Sequence, residues 1–168
     1  MTDHQRATPS KTADDRTSLT AFLDHQRETL AWKCAGLSAG QLKAKPVPTS
    51  DLSLLGLVRH AVDTERIWFR LVLNEERLTT CWPHTADGES GAFHVEDADV
   101  DEAFAAWRAA CADSRSVVDS RAGLDGTVEF RGESISLRYI LTHMIEEYAR
   151  HNGHADLLRE AIDGARGE

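Results

Sequence analysis

Four stretches of the 168-residue sequence space their apolar residues at helical intervals, and only one short stretch alternates like a strand. The first runs from about Ser18 to Leu37, carries Leu19, Phe22, Leu23, Leu30 and Cys34 on its stripe, and stops near Gly36 and Gly40. After a loop with Pro46 and Pro48, the second starts at the capping cluster PTSDLS and continues to about Asn74, with Leu57, His60, Thr64, Ile67, Trp68 and Leu71 on one face. Asp99, followed three residues later by Glu102, has the spacing of a capping box and opens a third helix that reaches about Arg121. Ser134 or Ser136 caps the fourth, which ends near Gly164. Between the second and third helices, residues 75–98 contain Pro83, Gly88 and Gly91, and a connection of that length in a compact domain covers something or crosses the bundle. Val128 and Phe130 before Arg131-Gly132, with Ile135 after, form a weak hairpin signal. The pattern predicts an all-α four-helix bundle with a long crossover between helices 2 and 3 and a minor β-hairpin.

The length suits one domain, expected over residues 17–168 behind a disordered polar tail at 1–16 that has no apolar stretch of the kind a signal peptide carries. No run approaches the roughly 18 apolar residues of a membrane span, so a soluble, cytoplasmic protein is expected. The net charge is −9 and the basic residues are scattered, which disfavours nucleic-acid partners. Three isolated cysteines suit reduced thiols, with Cys34 and Cys111 as small core residues.

Polar residues on the apolar stripes are the informative exceptions. Glu147 and His151 lie about 40° apart on the fourth helix, beside Ile140, Met144, Ala155 and Leu158, so they point inward. His60 occupies the same kind of position on the second helix. A buried carboxylate without a partner costs several kcal/mol. A divalent metal compensates directly, and two His with one carboxylate leave open coordination positions, as catalytic sites do. A Glu–His pair at this spacing also has a plainer reading, a hydrogen bond on a partly wet face; the inward His60 favours the metal. His143 and His154 flank the pair by one turn and are candidates for an extra ligand, an orienting partner or an acid/base group. His4, His25, His84 and His94 read as solvated, Tyr148 and Trp68 as core aromatics with pocket lining as the alternative, and Arg66 and Arg150 as exposed helical residues with an anion-holding role as the alternative. The sequence has no glycine-rich phosphate loop, no G-x-S-x-G and no H-E-x-x-H, which removes several enzyme classes.

The segments SLLGLVRHAVDTERIWF and LRYILTHMIEEYARHNGHADLLREAIDG resemble the DinB-like superfamily, over about residues 17–165. More narrowly, they look like its actinobacterial branch of mycothiol-dependent enzymes. The resemblance implies a divalent metal, zinc or nickel, held by His60, Glu147 and His151; many DinB-like proteins have His where this chain has Glu147, and the mycothiol-dependent relatives have Glu. It further implies a metal-dependent thiol S-transferase that activates mycothiol against an electrophile in detoxification or stress response, with His154 or His143 as catalytic proton carriers. The isomerase relatives carry a further C-terminal domain, and this sequence ends soon after its fourth helix, so S-transfer is expected rather than maleylpyruvate isomerisation. The alternatives are a non-catalytic metal-binding stress or regulatory protein, and a non-haem iron oxygenase, whose facial triad has the same donors. The oligomeric state stays open, a homodimer included.

Overall fold

A computed structural model describes residues 6–86, 88 and 90–167. The bundle expectation holds. Its long elements are α1 (Asp15–Cys34), α3 (Leu54–Glu65), α4 (Val100–Asp119) and α5 (Leu137–Asp163), with a short α2 (Ala39–Lys43) and a two-stranded antiparallel hairpin, β1 (Thr127–Phe130) and β2 (Glu133–Ser136). Among the described residues, no helix is long and apolar enough to cross a membrane.

Local chemistry sets most boundaries. Asp14 caps α1, Ser53 caps α3, and Asp99 caps α4, each accepting a backbone N–H three residues on. Of the capping box expected at α4, the Asp99 half is formed. Ser136 caps α5, and Gly164 closes it in the left-handed conformation, φ 75°. The hairpin signal was sound, because Arg131 and Gly132 both have positive φ, as the tight turn between right-twisted strands requires. The sequence pattern does not reveal α2, whose reciprocal Ser38–Gln41 cap starts a five-residue helix.

The second predicted helix differs from its expectation in one consequential way. It is α-helical to Glu65 and then becomes a π-helix over Arg66–Leu73. The wider turn shifts the stripe, so Phe69, Val72 and Leu73 are buried, while Ile67, Trp68 and Leu71, expected on the inner face, are only half-buried. Residues 1–5 of the expected tail, including His4, lie outside the described residues. Residues 6–14 run against α1, where the Arg6 guanidinium donates to Thr29 Oγ1 and lies 4.8 Å from the Trp32 ring centroid.

The crossover packs on α3. A short 3-10 turn, Gly91–Phe93, sits where a Cβ on Gly56 would come within 2.9 Å of the Phe93 ring. A Cβ on Gly91 would come within 2.2 Å of the Pro83 carbonyl oxygen. Both glycines are therefore small for reasons of close approach.

The core contains one charged group of note. Glu65 is fully buried and accepts a bidentate pair from Arg27, Nε at 2.8 Å and Nη2 at 2.7 Å. It also accepts from the Tyr148 hydroxyl at 2.8 Å and from the Cys111 thiol at 3.6 Å, and the Tyr148 oxygen accepts the Trp107 indole N–H at 2.9 Å. These groups come from α1, α3, α4 and α5. Removing Glu65 leaves the buried Arg27 guanidinium with only the part-exposed Asp24, at 2.7 Å, and removing Arg27 leaves the buried Glu65 carboxylate without its ion-pair partner. Glu65→Leu is therefore expected to destabilise the fold by about 3 kcal/mol or more, and Arg27→Met in the same chain to restore over half of that, as urea unfolding of the three variants will measure.

Candidate metal centre

His60 on α3 and Glu147 and His151 on α5 meet at one point. Glu147 Oε1 lies 3.0 Å from His60 Nε2 and 3.1 Å from His151 Nε2. All three candidate ligand atoms fall within 4.8 Å of one another, and no other such trio of His, Cys, Asp or Glu occurs among the described residues. The two helices hold the set differently. On α5 the separation of four residues puts Glu147 and His151 on adjacent turns of one face. On α3, His60 is held by Thr64, whose hydroxyl lies 3.4 Å from Nε2, and by the Phe93 ring stacked at 5.5 Å.

The trio was expected inside the core; it sits at the core's edge. The side chains are 27%, 23% and 17% exposed for His60, Glu147 and His151. Leu30, Leu57, Ala61 and Tyr148 wall the inner side. A ligand therefore reaches the trio from the outer side, and the partial exposure explains why these polar stripe positions are tolerated without full desolvation.

Hydrogen bonds from His151 and His60 hold the Glu147 carboxyl well below the usual carboxylate range. As the carboxylate only accepts, both Nε2 atoms donate to it. A tetrahedral ion with bonds of 2.0–2.2 Å separates its ligand atoms by about 3.3–3.5 Å. Both carboxylate–imidazole edges are already close to that spacing, so the donor set fits a divalent ion that would replace the two shared protons.

His154 continues the set on the outer side, its Nδ1 3.3 Å from His151 Nδ1. With His151 bound to an ion through Nε2, its Nδ1–H would donate to His154, the partner that orients a ligating imidazole. His143 does not join the trio. Its ring lies against Trp68, with centroids 4.4 Å apart, and its Nδ1 is 4.0 Å from Glu146. His25 and His84 pair with backbone oxygens of Ala7 and Gly88. Tyr148 is a core residue, as read from its spacing, while its hydroxyl joins the Glu65 cluster. The sequence analysis missed Arg27 and Glu65, for which the available signal was a charge within an apolar helical stripe.

A match to the family described as mycothiol-S-transferase spans residues 18–164 of the chain. The chain belongs to this family. It is thereby a DinB-like protein, and the family implies a small-molecule thiol as substrate. The crystal structure of a conserved protein from Enterococcus faecalis is similar in fold, with a TM-score of 0.69 over 92% of this chain and 100% of that one at 17% identity. No curated protein matches the chain.

The ligand role can be read from stoichiometry and pH. Purified protein is expected to bind one divalent ion, measured by elemental analysis and calorimetry. His60→Ala, Glu147→Ala and His151→Ala should each abolish it, and His154→Ala should weaken it about 10–100-fold. Because the folded pKa of Glu147 is depressed, its paired carboxylate contributes stability above the ordinary glutamate value, about 4.3, and loses it as the pH falls through the folded value. Between pH 7.5 and 5.5 that carboxylate stays ionised, so Glu147→Gln should lower affinity by a similar factor across that range.

Proposed function

We propose that the protein joins the thiol of mycothiol to an electrophile as an S-conjugate, with a divalent ion, zinc or nickel, held by His60, Glu147 and His151. The observation that carries this is the convergence of those three donors on one half-open point in a chain of the mycothiol-S-transferase family. A divalent ion there would bind the thiol sulfur and keep it as the thiolate at neutral pH.

The residues of the chain supply the rest. Glu147 contributes the negative charge that makes the trio a cation site, and its two neutral His partners leave room for an anionic sulfur. His154 holds the His151 ring in position through Nδ1. Phe93 and Thr64 fix the other imidazole. The apolar inner wall of Leu30, Leu57 and Ala61 keeps water from that side, so the sulfur and its electrophile meet on the outer face. The thiolate then forms a C–S bond at the electrophilic carbon, the leaving group departs with its electron pair, and the thiol proton goes to solvent through the open side.

The two buried cysteines are poor competitors for this role, and the exposed Cys81, whose thiol pKa is raised by desolvation, is not among the residues that line the trio. Burial pushes the Cys34 thiol up to about 12, and burial together with Glu65 pushes Cys111 up to about 12. The sulfur nucleophile therefore comes from a small molecule.

Metal-loaded protein mixed with mycothiol and a bimane halide is expected to form the S-conjugate well above the uncatalysed rate. His151→Ala and His60→Ala should return it to background, and a Cys34→Ser/Cys111→Ala variant that remains folded should keep it. A wild-type rate equal to background refutes the transferase assignment.

A further inference from the structure

The trio is one end of a longer surface feature. Because α3 and α5 run antiparallel, stepping one turn forward from Thr64 along the first and one turn back from Glu147 along the second leads to the same place. There Trp68 meets His143, with ring centroids 4.4 Å apart. One turn further along α5, the Tyr139 ring lies parallel to His143 within 1°, at 6.0 Å, and 6.2 Å from Trp68. Three rings thus form a cluster that starts one helical turn from Glu147 at His143 and extends to Trp68 and Tyr139, two turns, about 12 Å along the helices, from His60 and Glu147.

Two features make this cluster more than core packing. Tyr139 is 55% exposed, one of three large hydrophobic side chains at the surface among the described residues. Trp68 reaches this position because the backbone is π-helical from Arg66; the rotated stripe that buries Phe69 leaves Trp68 half-buried at the surface beside His143. Such π-helical segments recur at functional sites. On α5, Tyr139, His143, Glu147 and His151 follow one another at four-residue steps, the first exposed and the other three half-buried.

We propose that Trp68, His143 and Tyr139 form a stacking platform for the second substrate, which is an electron-poor aromatic electrophile. This rests on the transferase reading. An electron-deficient ring stacks face to face, with an offset, on the exposed Tyr139 phenol, and the Trp68 indole, inclined 53° to Tyr139 and to His143, meets it at a tilt. A six-membered ring seated on them lies on the α5 stripe that leads through His143 to Glu147 and His151. For a halogenated nitroarene, the new C–S bond forms at the carbon bearing the halogen, the C–halogen bond breaks, and halide leaves with the electron pair. His143 is a stacking residue in this arrangement, and the platform selects substrate rather than driving the chemistry.

The test uses metal-loaded full-length protein, mycothiol, and two electrophiles, 1-chloro-2,4-dinitrobenzene and the aliphatic iodoacetamide. Tyr139→Ala and Trp68→Leu are expected to raise KM for the aromatic reagent about three- to tenfold, leave kcat within about twofold, and leave KM for iodoacetamide unchanged. Trp68→Phe, which keeps a ring, should recover most of the loss. Equal effects on both electrophiles overturn the platform. A measurement independent of turnover accompanies this: calorimetric binding of the unreactive 2,4-dinitroaniline, expected to weaken to the same extent in Tyr139→Ala. If the wild type turns over neither electrophile, the transferase reading fails, and the dinitroaniline result alone decides the platform. Weakened binding in the variants supports an aromatic-ligand site, and unchanged or absent binding overturns it.

Discussion

The bidentate Arg27–Glu65 ion pair, sealed in the centre of the bundle, is the constraint on which the other elements depend. Taking both charges out of water offsets most of their attraction, so the pair adds little net stability compared with a well-packed apolar replacement. Its effect is on register. Glu65 accepts hydrogen bonds from side chains of three other helices, and sliding α3 by one residue against any of them strands a charge in the core.

That register is what assembles the candidate site. Glu65 follows Thr64, which touches His60, and Tyr148 follows Glu147, so the Tyr148–Glu65 hydrogen bond sets the level at which α3 faces α5. Asn152 ties α5 to α1 through Gln26 from the next residue after His151, leaving His151 and His154 on the opposite, open side. The crossover adds the last restraint: Gly56 has no side chain, so Phe93 lies close enough to α3 to stack on His60. The candidate trio is thus held from three directions, by a buried network behind, a neighbouring helix beside and a loop above.

Much of this was legible in the sequence because its cause is local. Helical periods, the capping residues Ser53, Asp99 and Ser136, the stop at Gly164 and the Arg131-Gly132 turn depend on side chains within a few residues of one another. Glu147 and His151 were legible for the same reason, as a pair on one helix face. The π-helix was not, since nothing in RIWFRLVL marks it, and a stripe extrapolated at 3.6 residues per turn assigned Ile67, Trp68 and Leu71 to positions that Phe69, Val72 and Leu73 occupy. Short α2 and the 3-10 turn at Gly91 fall below the length at which periodicity has meaning.

The sequence by itself determined an all-α bundle with a long second-to-third crossover and nominated His60, Glu147 and His151, because amphipathic period and polar interruptions of it are properties of single helices. Only the tertiary structure decided that His60 and His151 share one Glu147 oxygen, that His154 backs the trio while His143 stacks on Trp68, and that the site lies at the core's edge. Those outcomes depend on the rotation and level of one helix against another. They are set by contacts between residues far apart in the chain, above all Arg27, Glu65 and Tyr148, whose meeting no local pattern records.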